Sequence, residues 1–225
     1  QNLTNKQKNT LFATKFKKIC KLNKKVRSYN RTYISNVSLI YPETYSELKT
    51  ILIYFKNNKL KLVLKTGECS YGDKSTLQNS KFVVSLTKLN KILHHETEYV
   101  VAQAGIRLID LSKYLNKHNF MYYNIPGGKS VTLGGAISGN VHGRPSNKLF
   151  ANFADNIISL KVMLEDRSIK IIEKKDKLFF NIIGGLGVMA IILEATIKIF
   201  KIQDKYYNQI STTINTEEQF RIYEE

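Results

Sequence analysis

The stretch Ile125-Pro126-Gly127-Gly128-Lys129-Ser130-Val131-Thr132-Leu133-Gly134-Gly135-Ala136-Ile137-Ser138-Gly139-Asn140-Val141-His142-Gly143 is the most informative part of the chain. Glycine lets the backbone approach an anion closely and turn its N–H groups inward as a nest. Most glycine loops are ordinary turns, so one alone decides little. Two further loops change the weighing. Lys65-Thr66-Gly67-Glu68-Cys69-Ser70-Tyr71-Gly72-Asp73 follows directly on an apolar run, and Gly184-Gly185-Leu186-Gly187 precedes another. Seven of the chain's 12 glycines (67, 72, 127, 128, 134, 135 and 139) lie in the two segments Gly67–Gly72 and Gly127–Gly139. That clustering points to a bound phosphorylated ligand. The full P-loop pattern G-x-x-x-x-G-K-S/T is not met, and no G-x-G-x-x-G follows a first strand. Residue types and spacing stop there: a phosphorylated cofactor, held in neither of those two ways.

Outward from these loops the pattern alternates between elements. Leu39–Tyr41 ends a short strand, and Pro42 with Thr44 opens a helix to Asn57. Leu60–Leu64, Phe82–Leu86, Tyr99–Gln103 and Ile191–Ile199 read as strands. Leu108, Leu111 and Leu115 have the spacing of a helix over Leu108–His118. Asn156–Leu164 and Ile169–Ile172 are strands joined by a hairpin turn at Glu165–Arg167. A short helix is expected at Asp176–Asn181, and a further strand at Tyr206–Ile214. The mixture predicts an α+β domain.

The chain has 225 residues, 43% of them hydrophobic, enough for a sizeable core. Its apolar runs are too short to span a membrane, and its first residues do not read as a secretory signal. Cys20 and Cys69 make neither a disulfide framework nor a metal-ligand cluster, so no metal site and a reducing, cytoplasmic setting are expected. Of the net charge of +17, ten charges come from residues 1–42, which hold ten Lys or Arg and no acid. Leu11, Phe12, Phe16, Ile19 and Leu22 among those lysines predict a basic amphipathic helix over Thr4–Lys25. It either packs on the domain or touches an anionic membrane peripherally. Nucleic acid is not the expected partner; a basic nucleic-acid or lipid-binding module without turnover is the alternative from another class.

Taken in order, the three loops resemble the FAD-binding domain of the vanillyl-alcohol oxidase/p-cresol methylhydroxylase (PCMH) flavoprotein superfamily. The resemblance covers Val37 to Ile199. Ser70–Asp73, Val131–Ile137, His142-Gly143 and Phe153–Leu160 are most similar to the branch of decaprenylphosphoryl-ribose 2-oxidase and the sugar-lactone oxidases. Ile183–Gly187 with Leu193–Ile197 resembles the family's last strand. The resemblance implies two α/β subdomains with FAD between them, residues 37–200 forming the PCMH-type domain. Residues 1–36 are then a basic helical segment, and 201–225 the start of a truncated substrate domain.

The resemblance also implies roles. Lys65, Gly67, Ser70, Tyr71, Gly72 and Asp73 would cradle the FAD pyrophosphate. Gly127, Thr132, Leu133, Gly134 and Gly135 would line the pyrophosphate and ribityl chain. Gly139, Asn140 and His142 would run beside the isoalloxazine, and Ile192 would meet the adenosine end. His142 is the catalytic candidate, with a loop-orienting role as the other reading. The implied activity is oxidation of a secondary alcohol of a sugar or lipid-linked sugar. A lactone or alditol oxidase, or a hydroxy-acid dehydrogenase, is the runner-up. Two departures stand out. Glu68 replaces a family glycine, which puts a carboxylate on the phosphate loop. Cys69 stands where family members with covalent flavin often carry histidine, so non-covalent FAD is expected. The usual general base lies C-terminal to such a domain. His94, His95 and His118 read as surface residues, and Asp155 and Asn156 as turn-fixing ones.

Overall fold

The computed structural model describes residues 16, 18–70, 81–128, 130–145, 150, 152–203, 213 and 215–217, with only the backbone of Arg144 and Pro145. Two β-sheets meet along a common seam. Strands β1 (Cys20–Arg27), β2 (Ile34–Ile40), β3 (Val63–Lys65) and β4 (Phe82–Ser85) form the first, in the order β1-β2-β4-β3. β1 is antiparallel to β2, whereas β2, β4 and β3 run parallel. Parallel strands need a crossover, and helix α1 (Tyr45–Asn57) provides one between β2 and β3. The Thr44 hydroxyl accepts the Glu47 amide at 3.1 Å and so caps the first turn. Leu48, Ile51 and Phe55 recur at helical spacing and are all buried. The Phe55 ring meets Phe82 edge-to-face at 5.1 Å, which docks α1 on its sheet.

The second unit contains β5 (Ile92–His95), β6 (Tyr99–Gln103), α2 (Leu108–Lys117), β7 (Phe120–Met121), β8 (Asn124–Pro126) and α3 (Leu133–Ser138). It continues through β9 (Gly143–Pro145), β10 (Ile157–Met163), β11 (Ile169–Glu173), α4 (Lys177–Ile182), β12 (Ile191–Lys198) and β13 (Phe200–Lys201). Its main sheet is antiparallel throughout, in the order β11-β10-β12-β6-β5. One core joins this sheet to its helices, through residues such as Leu111, Leu115, Ile137, Leu160 and Phe179. Met163 and Leu193 of this sheet pack instead into the core of the first, beside Ile40, Leu48 and Val84. The architecture is the expected α+β pair of subdomains, closed by shared apolar packing.

The N-terminal expectation is corrected. Cys20–Lys25, expected in the helix over Thr4–Lys25, lie in β1; residues 4–15 and 17 of that span are outside the described residues. Residues 20–27 and 34–36, placed in a helical segment ending at 36, are therefore strand. Ladder bonds to β2 satisfy the backbone here, with a register shift between Lys21 and Lys24. β1 is an edge strand, so its lysines reach water, and lysine on an edge discourages further strand addition. The hairpin at Glu165–Arg167 forms as read, Leu164 N–H donating to Ser168 O at 3.0 Å. Apart from residue 213, the strand expected at Tyr206–Ile214 lies outside the described residues. Among the described residues no helix is long and apolar enough to cross a membrane.

Candidate functional site

Where the two sheets meet, a cleft opens to solvent. Its walls come from both subdomains: Leu64, Lys65 and Thr66 at the end of β3, and Leu86 beyond β4. Opposite stand Gly134 and Ser138 of α3, then Leu186, Gly187 and Ala190–Ile192 leading into β12. All three glycine loops singled out in the sequence converge near it. Gly67 faces the second loop so closely that a Cβ there would lie 3.2 Å from Ser130 O and from Thr132 N. The third loop is tied to α3 by Leu186 N–H donating to Ser138 O at 2.9 Å and Gly184 N–H to Ile137 O at 3.2 Å.

Backbone contacts, not ligand contacts, explain several of the glycines. The Gly134 amide donates to Ala104 O at 2.7 Å, and a Cβ on Gly134 would lie 2.9 Å from the Ala104 methyl. Gly105 is more severe still: its added Cβ would sit 2.0 Å from Leu86 O, while its amide donates to Leu89 O at 2.9 Å. Gly105 thus lets the chain leaving β6 lie directly against the chain leaving β4, beside Leu86 of the cleft wall. By contrast, a Cβ on Gly127 would meet nothing within 4 Å.

Charge in the cleft is concentrated in one pair. Lys65 is buried, and its ammonium bonds the Glu68 carboxylate. Burial pushes the Lys65 pKa down, and the Glu68 carboxylate opposes that shift. Glu68 adopts φ +58, a left-handed conformation that suits glycine. The position thus calls for the glycine that the family resemblance leads one to expect, and the chain keeps glutamate there, tied to Lys65.

The residues present fit a dinucleotide such as FAD. An elongated ligand needs walls from both subdomains, open backbone, and unpaired polar groups to bind. Asn140 supplies one such group: its Oδ1 is buried without a hydrogen-bond partner, on a residue at φ +39. A buried acceptor left unmatched is costly, and a ligand donor would satisfy it.

The other expected site residues divide by accessibility. Ile192 lines the cleft. Ser70 is exposed, and its carbonyl accepts the Tyr29 amide at 3.0 Å; Tyr71, Gly72 and Asp73 lie outside the described residues. Thr132 and Leu133 are fully buried and support the loop from behind. Thr132 caps α3 by accepting from Gly135 N–H, and the Leu133 amide is taken by Ile106 O. Gly139 caps the end of α3. His142 is exposed and bridges to Asn152. Asp155 and Asn156 hold backbone, accepting from the amides of Asn152 at 2.8 Å and Tyr123 at 2.9 Å. The Cys69 thiol donates to Gly67 O at 3.2 Å. His94 and His118 are exposed as expected. His95 is a correction: it is half-buried, its ring 5.5 Å from Tyr114, 5.5 Å from His118 and 5.1 Å from Phe120. Sequence reading missed Gly105, Leu86 and Ser138, for which the chain offers no signal beyond a glycine closing a strand.

Comparison with known proteins agrees with this geometry. The FAD binding domain family matches residues 38–172, more than half of the chain. D-lactate dehydrogenase (cytochrome) 1, mitochondrial, of Saccharomyces cerevisiae is 27% identical over 176 residues, covering 71% of this chain and 29% of that protein. Decaprenylphosphoryl-beta-D-ribose oxidase of Mycolicibacterium smegmatis is 28% identical over 143 residues, covering 61% of this chain and 31% of that one. The chain thus spans about a third of the length of these curated relatives. Cholesterol oxidase from Brevibacterium sterolicum shares the fold, with a TM-score of 0.71 at 15% identity over 81% of this chain and 38% of its own. The two-subdomain fold, the cleft at its seam and the family match agree: the chain belongs to the FAD binding domain family, with the PCMH-type fold, and its cofactor is FAD.

Proposed function

We propose that this chain is the FAD-holding portion of an oxidoreductase that oxidises a secondary alcohol of a sugar or lipid-linked sugar. The observation that carries the reading is the match, over 61% of this chain, to a relative named as a decaprenylphosphoryl-beta-D-ribose oxidase. Bound FAD supplies the hydride acceptor, at N5 of its ring system. The chain's own residues bind and orient. Lys65, Gly67, Ser70, Tyr71, Gly72 and Asp73 hold the pyrophosphate, with Gly127, Gly134 and Gly135 along the chain that follows. Gly139, Asn140 and His142 run beside the ring, and Ile192 closes the adenosine end. His142 sits on an exposed loop end and holds the proton of the substrate hydroxyl.

Cys69 donates its thiol proton to the backbone and offers no imidazole for attachment, which supports non-covalent FAD. A cytoplasmic setting, argued from the two cysteines, belongs to the same proposal, as does contact of the basic N-terminal stretch with an anionic membrane surface, argued from its charge. A second reading, oxidation of a hydroxy acid, is favoured by the match to a D-lactate dehydrogenase. Anaerobic bleaching of the flavin band separates the two. Bleaching by a sugar or polyprenyl-phosphate sugar, and not by D-lactate, supports the first reading; the reverse supports the second.

A further inference from the structure

The Lys65–Glu68 pair stands on the loop read above as the pyrophosphate cradle, and the inference here rests on that reading. The Lys65 side chain is 4% exposed while that of Glu68 is 48% exposed. The cation is therefore fixed inside the protein, whereas its partner anion sits at the surface, able to leave. Lys65 also lines the cleft between the sheets. Glu68 is held at φ +58, so the loop bears backbone strain to keep a carboxylate on that ammonium. A buried lysine without a counter-ion would lose its charge or destabilise the fold.

We propose that Glu68 is an internal stand-in for the cofactor phosphate: its carboxylate neutralises Lys65 while the cleft is empty and is displaced by the FAD pyrophosphate when it fills. One cation serves two anions in turn. Glu68 stabilises the empty protein and competes with the cofactor, so it sets the FAD affinity below what the loop would otherwise deliver. A diphosphate carries more charge than a carboxylate and bonds the ammonium from a fixed loop, so it wins at sufficient FAD concentration.

The test compares wild type with Glu68→Gln, Glu68→Gly and Lys65→Met, using FAD titration by flavin fluorescence and thermal melting without added FAD. Both Glu68 variants are expected to bind FAD roughly fivefold more tightly, the size of one partly exposed ion pair. Glu68→Gln is expected to melt lower than wild type when empty, and to gain more from saturating FAD. Lys65→Met is expected to weaken binding. The glycine variant relieves the strained φ, so it keeps the test usable should Glu68→Gln fold poorly. Unchanged or weaker FAD binding in both Glu68 variants, with wild type binding FAD, overturns the stand-in while leaving the cofactor reading intact. Failure of wild type to bind FAD overturns both.

Discussion

The Tyr45 hydroxyl donates to Glu194 Oε1 at 2.8 Å, joining the helix of the first subdomain to the central strand of the second. The same hydroxyl accepts from Gln103 Nε2 at 2.9 Å, and Lys161 Nζ reaches Glu194 at 3.0 Å. Burial pushes the Tyr45 pKa far up, so the phenol keeps its proton and remains the donor. This network is the polar counterpart of the apolar contact made by Met163 and Leu193. Together they hold the two walls of the cleft in register.

Tyr45→Phe removes the hydroxyl and leaves both Glu194 and Gln103 short of a partner. A loss of about 1–2 kcal/mol is expected, read as a melting-temperature drop of roughly 2–8 °C. FAD added in excess should recover part of it, because the cofactor binds both walls. An unchanged melting temperature would mean that the subdomains do not depend on this bond.

Gly105→Ala is expected to be far more damaging. Its methyl would fall 2.0 Å from Leu86 O and 2.6 Å from Leu89 O, both backbone atoms that cannot step aside. Overpacking of this kind costs roughly 3 kcal/mol or more. The two subdomains should separate at that edge, and FAD binding should fall with stability. Equilibrium urea denaturation with parallel FAD titration measures both.

Asn140→Gly distinguishes a ligand contact from a structural one. The Asn140 Oδ1 makes no hydrogen bond within the protein, and glycine suits its φ of +39. Stability without FAD should therefore hold or rise slightly. FAD affinity should fall about tenfold, the worth of one good hydrogen bond to a ligand. Equal losses in both quantities would assign Asn140 to the fold alone.

Stability should also depend on pH through His95. Burial first, then the neighbouring charge of His118, holds its imidazole below the ordinary value of 6.5; Glu96 pulls the other way and His94 adds to the lowering. A depressed pKa means that the fold prefers the neutral ring. Its contribution is complete above 6.5 and is lost as pH falls through the lower folded value. His95→Phe keeps a ring against Tyr114 and Phe120 without the proton. Its melting temperature should gain on wild type between about pH 8 and about pH 5, and a constant difference would refute the effect.

Much of this fold was legible because local and tertiary signals agreed. Thr44, Leu48, Ile51 and Phe55 announce α1 by cap and period together, and the turn Glu165–Arg167 separates two plainly apolar strands. β1 carries a misleading helical signal, because Leu22 stands at helical spacing yet is exposed, and the strand is held by pairing with β2. α3 was hidden by Gly134 and Gly135, poor helix formers, which are held there by the Thr132 cap and the contact with Ala104. In the site, the glycine loops were readable as loops. Their mutual placement was not, since it depends on contacts between residues far apart in sequence, such as Gly67 against Ser130 and Thr132 and the Leu186 amide on Ser138 O.

The proposed non-covalent holding of FAD by this chain has a plain optical signature. The most direct measurement is to add FAD to the purified protein, remove the excess by gel filtration, and record the visible spectrum before and after denaturation. Close to one FAD per chain is expected, with the flavin band passing to the filtrate once the protein is unfolded. A colourless protein that takes up no FAD would contradict it, and flavin remaining on the denatured chain would contradict the non-covalent mode of holding.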